Sequence, residues 1–183
     1  MKFVNKDVQQ LMERWDLYDR YRVKTGKIVQ RGDLLDSDEF RLVVHVCIFN
    51  SNGQLLIQQR QPFKEGWPNM WDLTASGSAQ TGETSNVAAE RELFEEIGYK
   101  ANLSNARPIF TANFKSGFDD YYTVEADINL DELVLQDAEV KSIKWAERNE
   151  IIESIRSGDF IPYHISVIDM VFDMKSRGGV HSK

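Results

Sequence analysis

GSAQTGETSNVAAERELFEEIGY, residues 77–99, is the stretch from which the rest of the chain can be ordered. Thr84 or Ser85 is a suitable cap for a helix start, and Gly98 stands where a helix C-terminal glycine belongs, so the spacing predicts a helix over about Ser85–Ile97. At about 100° per residue, Ala89, Leu93, Ile97, Phe94 and Val87 fall on one side of it, while Arg91, Glu92, Glu95 and Glu96 fall on the other. Glu90 lies inside the apolar sector, and the sequence offers no account of it. Glu92 stands at i+3 from Glu95 and i+4 from Glu96, spacings that cluster three carboxylates on one surface. Like charges at those spacings weaken a helix, and the macrodipole disfavours anions near its C-terminus. Such a cluster is either a solvated acidic face or a place to hold cations. In the second case, oxygen ligands with no His or Cys nearby favour Mg²⁺ or Mn²⁺ over zinc.

Working outward, 41–49 is the clearest strand. Leu42, Val44, Val46 and Ile48 point to one face, and Arg41, Val43, His45, Cys47 and Phe49 to the other. Asn50–Gly53 make a turn, and Gln54–Arg60 returns as a second strand. Residues 61–72 form an aromatic-rich loop. Further strands are predicted near 107–114, 120–128 and 140–145, and a last helix over 164–175 turns Ile165, Ile168, Met170, Val171 and Phe172 mostly inward. Toward the N-terminus, 30–40 is a polar loop and Trp15–Val29 a hairpin around a Gly26-containing segment. Residues 3–14 are a short amphipathic helix. Strands interleaved with two sizeable helices imply an α/β chain, a mixed sheet covered on both faces.

The 183 residues suit a single domain, 1–183, with an N-terminal extension over 1–35 and a loose tail over 178–183. A hydrophobic fraction of 42% and a charged fraction of 28% describe a globular chain. The net charge of −7 argues against nucleic acid as a partner, which needs a basic surface. A small anionic substrate is not excluded, because a bound divalent cation inverts the local field. With Cys47 alone there is no intramolecular disulfide, which suits a cytoplasmic location. The opening MKFVNKDVQQ lacks the apolar run expected of a signal peptide, and no stretch is apolar for long enough to span a bilayer. A homodimer is compatible with these properties.

The 77–99 stretch resembles the Nudix box of the Nudix hydrolase superfamily. Gly77, Glu83, Arg91, Glu92, Leu93, Glu95, Glu96, Gly98 and the apolar position Tyr99 all fall in register. Seven fixed residue types matching by chance has a probability on the order of 10⁻⁸ at ordinary residue frequencies, which disfavours the merely solvated face. The resemblance implies an α/β/α sandwich and a metal site made of the Gly77 carbonyl with Glu92, Glu95 and Glu96. It also implies a cofactor ion of Mg²⁺ or Mn²⁺ that bridges a diphosphate and activates water. Glu95 and Glu96 are then the strongest ligands, and Glu92 is ligand or general base. Arg91 pairs with Glu83 to fix the helix against its loop. Glu139, ahead of a strand, matches the region where many members place a further carboxylate ligand or base.

Arg60, closing its strand, is suited either to phosphate oxygens or to a surface salt bridge. Phe114, Phe118, Tyr121 and Tyr122 could stack on a base or sugar, or fill the core. His45 and Cys47 are expected to be structural.

WDLYD at 15–19, TGKIVQRG at 25–32, LVVHVCIFN at 42–50, LLIQQR at 55–60 and WPNMWDLTASG at 67–77 are similar to the Nudix subgroup related to isopentenyl-diphosphate isomerase. The isomerase needs a cysteine just before the loop glycine and a metal-binding histidine just after it. Ser76 and Ser78 stand there instead, and a hydroxyl has neither the thiol's acid–base range nor an imidazole's affinity for metal. The intact box points to a hydrolase of a diphosphate linkage in a small molecule, namely a nucleoside di- or triphosphate or a nucleoside-diphosphate derivative. The alternatives are an isomerase-like enzyme and a non-catalytic nucleotide sensor.

Overall fold

The structure is a computed structural model that describes residues 13–176 and His181. The expected helix over 3–14 falls outside the described residues except for its last two positions. Arg14 already belongs to a strand. Of the tail only His181 is described, and it is exposed.

Strands β1 (Arg14–Tyr18) and β2 (Lys24–Gln30) form the expected antiparallel hairpin. Its turn is made by Asp19, whose carboxylate accepts the Tyr21 and Val23 amides at 2.9 Å each. Gly26 is not in that turn. It sits within β2 at φ +82°, where the register against β1 shifts.

Strand β3 (Arg41–Phe49) is buried on both faces, which sets the layering of the domain. Leu42, Val44, Val46 and Ile48 pack with Ala88, Ala89, Leu93 and Ile97 of helix α1 (Ser85–Ile97). Cys47 and Phe49 pack on the other face with Ile151 of α2 (Arg148–Ser157) and with Ile168, Val171 and Phe172 of α3 (Ile165–Met174). Each of the Val, Leu, Ile and Phe side chains among these contributes on the order of 1.5–3 kcal/mol on leaving water. The molecule is therefore the expected α/β/α sandwich. Helix α2 was not foreseen, and Met170 turns outward.

Among the described residues the sheet has seven strands and is mixed. Strand β8 (Gly117–Glu125) runs parallel to β3 and antiparallel to β7 (Phe110–Phe114). Strand β4 (Leu55–Arg60) returns from the Asn50–Gly53 turn but pairs with β3 only at Phe49↔Leu55. It then diverges to join β9 (Val140–Ala146). The wedge between β3 and β4 is filled by residues 71–78. Strand β5 (Trp71–Asp72) pairs with β4, and β6 (Ala75–Ser78) pairs with β3. Between them, the fully buried Thr74 hydroxyl accepts the Ile48 amide at 3.0 Å and donates to the Leu56 carbonyl. This one hydroxyl satisfies a backbone group on each diverging strand.

Candidate active site

Helix α1 ends as expected, with Gly98 at φ +71° and its amide donating to the Phe94 carbonyl at 3.0 Å. Its start differs from expectation. Thr84 occupies the cap position without a side-chain cap bond, and its hydroxyl meets Asn86 Oδ1 at 2.7 Å. Ser85 donates to the buried Asp120 and accepts from the Tyr122 hydroxyl at 2.9 Å. Glu90, unexplained by the sequence, accepts the Leu103 amide.

The roll of the helix also differs. Its buried positions are Ala88, Ala89, Glu92, Leu93, Glu96 and Ile97, while Val87 and Phe94 are 45% and 49% exposed. Two of the three clustered carboxylates, Glu92 and Glu96, therefore point inward. Gly77 permits this, since a Cβ built there would overlap the Glu92 carboxylate.

Arg91 braces the group. Its Nε and Nη2 donate to the two carboxylate oxygens of Glu83 at 2.7 and 3.0 Å, the predicted pair. Nη2 also reaches the Ser78 carbonyl at 3.0 Å, and Nη1 lies 2.7 Å from Glu92 and 3.3 Å from Glu95. Burial alone would lower the Arg91 pKa, but Glu83 and Glu92 outweigh it and hold the guanidinium more firmly charged. Burial pushes the Glu92 carboxyl up to about 7 despite Arg91. Glu96 is raised well above the usual carboxylate range, first by burial and then by Glu92. Gln58 Nε2 donates to Glu96 at 2.7 Å, while Gln58 Oε1 is buried and accepts nothing among the described residues.

Gly77, Glu92, Glu95 and Glu96 line a cleft of about 640 Å³ together with Arg60, Lys64 and Glu139. Glu139 accepts Lys64 Nζ at 2.7 Å. Arg60 donates to the Gly66 carbonyl at 3.1 Å and stands 3.8 Å from the buried Asp72. Of the aromatic candidates, Phe118 and Tyr122 are buried in the α1-side core and do not line the cleft. Tyr121 is buried in the opposite core. Phe114 is also absent from the lining, and its ring lies against the Arg41 guanidinium. These aromatics satisfy packing and stand outside the cleft lining. His45 stacks on Tyr121 and lies 3.2 Å from Asp119, and Cys47 is fully buried with its thiol pKa raised by burial. Both side chains are buried, as a structural role requires. Lys64, Gln58, Arg41 and Trp15 were not foreseen at the site. Arg41 carried a signal, being the charged opening of an otherwise apolar strand.

The oxygen-only donor set fits a hard divalent cation, and the orphaned Gln58 Oε1 is a further acceptor beside it. However, among the described residues no three acidic, His or Cys side chains stand close enough to share one ion. Arg91 draws Glu92 and Glu95 to itself, while Glu96 faces Gln58. The chemistry for a cation is present without a preassembled cage.

Comparison with known proteins identifies the family and the fold. The NUDIX domain family matches residues 39–164. An uncharacterized Nudix hydrolase of Listeria innocua is 49% identical, covering 93% of this chain and 99% of that one. A crystal structure from Deinococcus radiodurans has a TM-score of 0.71 at 25% identity, covering 90% of this chain and 100% of that one. An isopentenyl-diphosphate Delta-isomerase of Pectobacterium atrosepticum is 32% identical, covering 56% of this chain and 55% of that one. The chain belongs to the Nudix hydrolase family.

Proposed function

We propose that this hydrolase uses Mg²⁺ or Mn²⁺ to cleave a diphosphate linkage in a nucleoside di- or triphosphate or a nucleoside-diphosphate derivative. Enzymes of the family generally use divalent metal ions and act on small molecules. The observation that carries the reading is the meeting of Gly77, Glu92 and Glu96 in a cleft that also holds Arg60, Lys64 and Glu139. When bound, the cation neutralises phosphate charge and lowers the pKa of a water molecule. The Gly77 carbonyl with Glu95, Glu96 and Glu92 would hold it. Glu92 or Glu139 accepts the proton as water adds to phosphorus, and the bridging P–O bond breaks to release the second phosphate as an anion. Arg60 and Lys64 offer charged donors to the phosphate oxygens. Arg91, tied to Glu83, orients Glu92 and Glu95.

The test is a panel of nucleoside diphosphates, triphosphates, nucleotide sugars and dinucleotides with Mg²⁺, following released phosphate or pyrophosphate. Turnover of one class, abolished by chelation, is expected. No turnover of any of them sinks the reading. Isopentenyl diphosphate belongs in the panel because of the isomerase relative. Ser76 and Ser78 offer no thiol or imidazole, and Cys47 is fully buried in β3. No dimethylallyl product is expected by NMR.

A further inference from the structure

The cleft lining includes a group of residues that the proposed chemistry does not use. Arg41, the first residue of β3, lines the cleft beside Ser78, to whose hydroxyl its Nη1 donates at 2.8 Å. Its guanidinium carbon lies 4.9 Å from the Trp15 ring and 5.7 Å from the Phe114 ring. Aromatic contacts of this kind hold the guanidinium plane at little entropic cost. Among the described residues no carboxylate is within ion-pair distance of Arg41, in contrast with Arg91, Arg31 and Arg22. Nearby acids are engaged elsewhere: Glu13 with Arg31 at 3.0 Å, Asp33 with the Gln30 amide at 2.8 Å, and Asp119 with His45 at 3.2 Å. A second unmet donor is next to it. Trp15 is 8% exposed and lines the cleft, and its buried indole N–H finds no acceptor among the described residues. Lys115 and the Glu13-paired Arg31 also line the cleft. A guanidinium with no carboxylate paired to it among the described residues, beside a buried indole donor with no acceptor there, calls for an oxyanion.

We infer that Arg41 and Trp15, with Lys115 and Arg31, form a second anion subsite that receives a phosphate of the substrate other than the two flanking the scissile bond. This deepens the hydrolase reading and rests on it for the word substrate. The extra phosphate is either a third contiguous phosphate or a separate monoester elsewhere on the molecule. Phe114 is then a positioning residue, acting on the ligand only through Arg41. A bidentate guanidinium–phosphate contact is among the stronger charged hydrogen bonds, so its loss is easily read.

Two measurements test the subsite. Calorimetric titration of the metal-free protein with inorganic tripolyphosphate needs no catalysis. Binding should weaken about tenfold or more in Arg41→Gln and recover in part in Arg41→Lys, which keeps the charge but not the fork. Trp15→Phe, which keeps the ring and removes the N–H, should cost a smaller loss of about threefold. Equal binding by wild type and Arg41→Gln overturns the subsite. The second measurement is kcat/KM with Mg²⁺ on two matched pairs, a nucleoside diphosphate against its triphosphate and dephospho-coenzyme A against coenzyme A. A preference for the more phosphorylated member of one pair, collapsing toward unity in Arg41→Gln, supports the assignment and shows which kind of phosphate is meant. Absence of a preference in both pairs overturns the substrate class. If no diphosphate is hydrolysed at all, the hydrolase reading has failed, and the titration alone decides the subsite.

Discussion

Helices α1 and α3 lie on opposite faces of one sheet and obey different rules. Helix α3 buries Ile168, Val171 and Phe172, and its Asp169 and Asp173 turn outward to Arg148. Its orientation is what hydrophobic patterning alone would choose. Helix α1 buries Glu92 and Glu96 and leaves Val87 and Phe94 half exposed. Ala88, Ala89 and Gly77 let it approach β6 closely, and Arg91 balances the carboxylates that this brings in. One helix is placed by the core and the other by the site. A cluster of inward acids costs stability, and proteins keep such arrangements where activity requires them.

The largest effect should come from Glu96→Gln. Diphosphate hydrolysis on the best panel substrate should fall by on the order of 10²–10⁴, while calorimetry of the metal-free variant should show no drop in Tm. A variant that loses stability but keeps its turnover would erase the contrast between the helices. The opposite signature is expected from Ile168→Ala in α3. It should cost about 2–5 kcal/mol and about 5–15 °C in Tm, with kcat below the transition unchanged within roughly twofold.

The pH dependence of stability sharpens the comparison further. The carboxyls of Glu92, near 7, and Glu96 are raised in the folded protein, so the folded chain holds protons that the unfolded chain releases. Stability from these groups is present at low pH and is lost as pH rises through about 7. Without divalent ions, the Tm should therefore rise by a few degrees, roughly 1–3 kcal/mol, from pH 8 to pH 6. Glu92→Gln/Glu96→Gln should flatten that slope, and a slope equal to wild type would refute the account. The smallest effect is expected from Phe94→Ser. This ring is half exposed against Lys100, so stability should move by no more than about 0.5 kcal/mol. A large loss on denaturant unfolding would mean that the outward face of α1 is covered by something else.

Much of the frame was readable in the sequence because it depends on local signals. Strand β3 alternates between two apolar faces, and α1 is bounded by Thr84 and Gly98. The Gly77-to-Tyr99 spacing located the acid cluster. What was not readable depends on partners distant in sequence. The roll of α1 follows from Gly77 meeting Glu92, which no helical wheel contains. The Asn50–Gly53 turn announced a hairpin, yet β4 leaves β3 after one pair because Val140–Ala146 offers the longer ladder. Helix α2, RNEIIESIRS, has only Ile151, Ile152 and Ile155 as apolar anchors and Glu147 at its cap position, too weak a pattern to declare itself. Its one sharp signal was Gly158 after Arg156. Aromatic composition could not separate Phe118 and Tyr122, which fill the core, from Trp15, which lines the cleft.

The crossing at Thr74 makes backbone length a ruler for the cleft. Residues 71–78 must leave β4 and reach β3 within one short span, with a hydroxyl tying Ile48 to Leu56 at the apex. Side-chain changes around the cleft alter its lining, but a single residue inserted between Asp72 and Ala75 would slide Gly77 one step along β3. The pleat would then present a different face to Glu92. The segment 71–78 should therefore tolerate changes of composition far better than changes of length.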